Sequence, residues 1–171
     1  MPDDAAPITR NETPTERADR NFDDILQELR VTQTGVQVLF SLLLTVPFSA
    51  RFEQVTQLEK RVYFVALLLA AATVVFLVAP VSVHRLLFHT GEKPWVVKVS
   101  SRLAIIGLVL LSLTLTTVLM LVSEVLFHTA AAVVTAAVFA VATLTLWFVP
   151  PLLRRRSATD RAARAKPKRG R

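Results

Sequence analysis

The chain has 171 residues, a formal net charge of +7 and an apolar fraction of 53% gathered into blocks rather than spread at a helical or strand period. The absence of cysteine excludes disulfide frameworks, thiolate metal centres, iron–sulfur clusters and cysteine nucleophiles, and four glycines without a phosphate-binding pattern give no support to a nucleotide-binding enzyme. Four stretches free of Asp, Glu, Lys and Arg (31–50, 62–83, 103–123 and 125–149) fill about half of the chain, and each is long enough to cross a hydrocarbon core of about 30 Å, which excludes an ordinary soluble globule.

Residues 1–12 are expected to be disordered. The first thirty residues hold eight acids and four bases and lack the basic, apolar, cleavable pattern of a signal peptide, so none is expected. Thr13-Pro14-Thr15-Glu16 has the form of a capping box with proline at the first helical position, so a helix starts there. Phe22, Ile25, Leu26 and Leu29 then recur at i, i+3, i+4 and i+7, with Glu16, Asp19, Arg20, Asp23, Asp24 and Gln27 over much of the remaining surface. Residues 13–30 therefore read as an amphipathic cytoplasmic helix. Its net negative charge argues against attraction to an anionic leaflet and favours packing on protein.

Span one, about 31–50, is the most polar. At about 100° per residue, Gln33, Thr34, Gln37, Ser41 and Thr45 fall within an arc of about 120°, a stripe that should face protein or a wet cavity. Hydroxyls can bond to their own preceding turn, whereas an unpaired amide in hydrocarbon costs several kcal/mol. The two glutamines read as interhelical hydrogen bonds that hold a bundle, or as part of a substrate or ion path. Pro47 and Pro80 are expected to kink spans one and two, each freeing the carbonyl four residues earlier, Leu43 and Phe76.

Span two, about 62–83, offers only Tyr63 and Thr73 before Pro80 and is expected to face lipid. His84 and His89 are five apart in the connection that follows, a spacing that gives metal binding little support. Span three, about 103–123, has Ser112 and Thr116 on one face, Gly107 near them in depth, and Thr114 and Thr117 elsewhere. Glu124 and His128 flank the hairpin to span four as an interfacial pair or as solvated groups.

Span four, about 127–149, carries Ala132, Ala136, Ala140 and Thr143 as a small-residue packing seam, toward another span or a second protomer. Residues 153–171 read as a basic disordered cytoplasmic tail. Its Arg154, Arg155 and Arg156 suit anionic lipid headgroups, at about 1 kcal/mol per charge near the surface. With no aromatic residue for a base to stack on, the tail does not read as a nucleic-acid site.

With an even number of spans both tails share a side, which then holds 17 of the 20 Lys and Arg. The positive-inside rule makes that side cytoplasmic. Trp95 and Trp147 fall at cytoplasmic span ends and Tyr63 at an outer one. No ionisable side chain lies near the midplane of any span, where proton-coupled exchangers and pumps usually carry one. No catalytic set, cofactor or metal site is expected.

The stretch Arg10-Asn11-Glu12-Thr13, Glu16-Arg17, Asp19-Arg20-Asn21 and, most specifically, Leu26-Gln27-Glu28-Leu29-Arg30-Val31-Thr32-Gln33-Thr34-Gly35-Val36-Gln37 resembles a family of small four-span membrane proteins from high-GC bacteria. That family is of unknown function, and its members are often labelled sodium:proton antiporters. The resemblance covers about residues 10–152 and implies a membrane location and four spans; it carries over no catalytic residues.

The chain thus reads as all-α, a four-span transmembrane helix bundle with an N-terminal amphipathic cytoplasmic helix. It is expected to be a non-enzymatic helix-packing or interaction module of the bacterial cytoplasmic membrane, its partners the lipid bilayer and a second copy or another membrane protein. The alternative is a small sodium:proton antiporter that works as an oligomer through the span-one stripe.

Overall fold

A computed structural model describes residues 13–50, 52–87 and 93–165. Among them are four long α-helices and no strand: α1 (Pro14–Thr45), α2 (Gln57–Leu87), α3 (Lys93–Leu126) and α4 (Thr129–Ala165). All four are long and apolar enough to cross a membrane. The N-terminal tail 1–12 and the last six residues, both expected to be disordered, lie outside the described residues.

The start of α1 is the capping box of the sequence. Glu16 N–H donates to Thr13 Oγ1 (3.3 Å), and Thr13 N–H donates to Glu16 Oε2 (2.8 Å), so two amides that the helix leaves orphaned are satisfied reciprocally. The bond from the Thr13 backbone, then that from its hydroxyl, holds the Glu16 carboxyl below the usual glutamate range. The amphipathic segment and span one are a single helix with one buried seam. Phe22, Leu29, Val36 and Leu43 recur every seven residues, the period at which two helices stay in contact over many turns.

Span one is shorter as an α-helix than the charge-free stretch suggested. It ends at Thr45, and Val46–Phe48 forms a 3-10 turn, so Pro47 does not kink the helix but lies in the turn that ends it. The reason is local: a residue without an N–H cannot continue the ladder, and a tighter turn takes over. Pro80 does lie inside α2, where it is buried.

α2 begins earlier than the charge-free stretch, through a second capping box. Thr56 N–H and Oγ1–H donate to Glu59 Oε2 (2.7 and 2.6 Å), and Glu59 N–H donates to Thr56 Oγ1 (3.3 Å). The expectation that this span faces lipid is wrong. Buried residues make up 28% of its most apolar window, the largest share of the four, against 11% in α1. Its seam is Tyr63, Ala66, Ala70, Thr73, Leu77 and Pro80, at alternating three- and four-residue steps. Small side chains there admit close helix approach, and mean hydropathy does not register that.

At the other end of the chain α4 continues to Ala165, so residues 153–165 are helical where disorder was expected. Ala158, Ala162, Ala163 and Ala165 alternate with arginines, all strong helix formers, and no glycine intervenes.

The chain forms two compact units. One comprises Met1–Val46 and Ala70–Val109; the other comprises Pro47–Leu69 and Leu110–Arg171. α2 and α3 contribute a segment to each.

Candidate functional site

The polar side chains of the spans are where a membrane protein of this size can place chemistry, and most of them turn to their own helix. Thr34 Oγ1 donates to the Arg30 carbonyl (3.0 Å), Ser41 Oγ to Gln37 (2.8 Å) and Thr45 Oγ1 to Leu42 (2.7 Å). Thr114, Thr116, Thr117 and Thr143 each donate to the carbonyl four residues back, all at 2.8 Å. Hydroxyls bonded in this way have their proton committed to the backbone, which lets them sit in hydrocarbon without a ligand.

The two glutamines, by contrast, have different surroundings. Gln33 is part-buried and donates from Nε2 to the Leu77 carbonyl of α2 at 2.6 Å. Leu77 lies three residues before Pro80, on the turn whose ladder the proline interrupts at the Phe76 carbonyl. The sequence pointed to the Phe76 carbonyl, one residue away. Gln37 is exposed, and its amide has no hydrogen-bond partner among the described residues. Thr34, Ser41 and Thr45 are exposed as well, so of the stripe only Gln33 reaches into the unit. Beside the glutamines Val36, Val74, Leu77 and Val78 line a shallow crevice between α1 and α2 that is too narrow to hold a water molecule.

Phe22 is buried and stacks on His84 of α2, ring centroids 4.3 Å apart and 21° from parallel. The amphipathic segment is therefore held on protein by its apolar face. His89 lies outside the described residues, and no group of three or more His, Asp or Glu able to hold a metal occurs among the described residues.

In the second unit Ala132, Ala136 and Thr143 are buried and Ala140 is half-buried, so this seam faces inward. Glu124 accepts from Thr129 Oγ1 at 2.8 Å, the first residue of α4, rather than forming the pair with His128 that the spacing suggested.

Tyr63, read as an interfacial aromatic, is buried and meets Phe52 edge-on, with centroids 5.3 Å apart; Lys60 Nζ lies 5.8 Å from the same ring. Arg154 is exposed, and Arg155 and Arg156 follow it within α4.

Sequence reading missed two features. One is the α2 seam, announced by Ala66 and Ala70 at four-residue spacing. The other is Ser100, fully buried on α3 with no partner for its Oγ among the described residues, which no sequence signal distinguishes.

No curated protein and no solved structure matches the chain. The model of a family of unknown function, DUF6328, matches residues 11–151, and the chain belongs to that family.

Proposed function

We propose that this member of a family of unknown function is a non-enzymatic module of the cytoplasmic membrane that acts by helix–helix association. One observation carries the reading: most polar side chains of the spans, Gln37 and Ser100 apart, bond to helix backbone, either their own or, for Gln33, that of the neighbouring helix. Groups engaged in this way hold helices in place; a transport path needs them turned toward a passing ion. The charge-free spans support the same view, because a proton-coupled exchanger requires a titrating group part-way across.

Both tails lie in the cytoplasm in this reading, on the charge asymmetry of the connections. The basic end of α4, with Arg154, Arg155 and Arg156, meets anionic headgroups and anchors the module's orientation. The partners are membrane proteins and lipid; nucleic acid is not among them.

The test is one preparation with two readings. In mild detergent the intact particle should have a mass above that of one chain, and proteoliposomes holding it should move no more protons down a sodium gradient than empty ones. Sodium-driven proton flux that scales with protein content overturns the proposal in favour of an antiporter.

A further inference from the structure

We infer that the outward face of α1 is the contact between two copies of this chain. This rests on the association reading above and gives it a surface and a partner. The face is built on Thr34, Val38, Ser41 and Thr45, which succeed one another at four, three and four residues and so form one line along the helix. All four are exposed. Gln37 flanks the line on one side and Gly35 on the other.

Two observations meet here. Gln37 lies six residues into the span, about 9 Å deep at about 1.5 Å per residue, with its amide unpartnered among the described residues. Lipid tails offer it no hydrogen bond, so lipid alone is a poor cover for this face. Gly35 sits mid-helix, and a Cβ built there would meet nothing within 4 Å. A glycine at such a position weakens the helix, and nothing inside the chain uses the space it leaves; a second helix packed closely against α1 does.

The occupant is a second copy because the face complements itself. An amide carries both donor and acceptor, so two Gln37 side chains related by a two-fold axis along the membrane normal bond to one another reciprocally. The hydroxyls of Thr34, Ser41 and Thr45 are already bonded to their own helix, which leaves a line of small, nearly apolar groups that two copies can bring close together. Below the span the same side of α1 carries both signs, Arg20 and Asp23 one turn apart, so a parallel copy meets no field of a single sign.

The chain has no cysteine, so single cysteines report without background. Thr34→Cys, Val38→Cys and Ser41→Cys, oxidised in membranes, should form crosslinked dimer about tenfold above Leu68→Cys and Val75→Cys, exposed positions of α2. Adding Gly35→Leu, which the fold of a single chain accommodates, should reduce the crosslinking to the level of the α2 positions. Gln37→Leu should raise the dimer dissociation constant about tenfold, the effect of one or two interhelical hydrogen bonds, and Gln37→Asn should restore much of it.

Crosslinking no stronger on α1 than on α2, or dimer that persists with Gly35→Leu, overturns the surface. If the particle then still has the mass of several chains, association survives and only its location is wrong. A single-chain mass removes both.

Discussion

At Gly107 the packing depends on the absence of one carbon atom. A Cβ there would stand 2.5 Å from Leu77 Cδ2 and 2.9 Å from Leu77 Cγ, so the fully buried Leu77 side chain would have to shift. Gly107→Ala should lower stability by about 1–3 kcal/mol, the usual effect of overpacking, read as a lower thermal midpoint in detergent. Because the clash involves a single partner, Leu77→Ala in the same chain should recover part of that loss, and the two substitutions should not add. An unchanged midpoint for Gly107→Ala would mean that α2 and α3 do not approach this closely. Gly35 is the opposite case, with open space around it. Nothing in the sequence separates the two glycines. The glutamines are similar: Gln33 and Gln37 fall about 40° apart on the helix surface, and the edge of the contact with α2 passes between them.

At the scale of elements, α1 shows how far a local pattern reaches. The capping box at Thr13 and the run of apolar residues from Phe22 to Leu29 were legible because they depend on spacing along a single helix. That the segment fuses with span one was less so. A change from amphipathic to apolar composition looks like a boundary, whereas the seam of Phe22, Leu29, Val36 and Leu43 runs straight through it. Phe22→Ala should release the N-terminal end of α1 from His84. A buried Phe→Ala change costs about 3–5 kcal/mol, so hydrogen exchange should rise sharply over residues 14–30 and hardly at all over 36–45. Equal acceleration along the whole helix would mean that the two parts unfold together. The Thr56–Glu59 cap was equally available to inspection, as a Thr and a Glu three apart before an apolar run. It lies outside the charge-free stretch because Glu59, Lys60 and Arg61 fall within the first turns of α2.

For the molecule as a whole, topology follows from charge and burial follows from shape. The asymmetry of Lys and Arg predicts that Thr13→Cys and Ser157→Cys react with an impermeant thiol reagent only from the cytoplasmic side, and Gln54→Cys and His128→Cys only from outside. Labelling of the two tails from opposite faces would require an odd number of crossings and would undo the orientation. Membrane residence and four helices of spanning length were determined by the sequence alone, since the cost of placing a charge or an open backbone group in hydrocarbon depends on composition and length. Which faces are inward was decided only by tertiary structure. In lipid, no hydrophobic difference separates a helix surface that meets another helix from one that meets acyl chains. Side-chain size and hydrogen-bond geometry make that choice, and they act between residues as distant in the chain as Gln33 and Leu77. For that reason the most apolar span proved to be the most buried and the most polar one the most exposed.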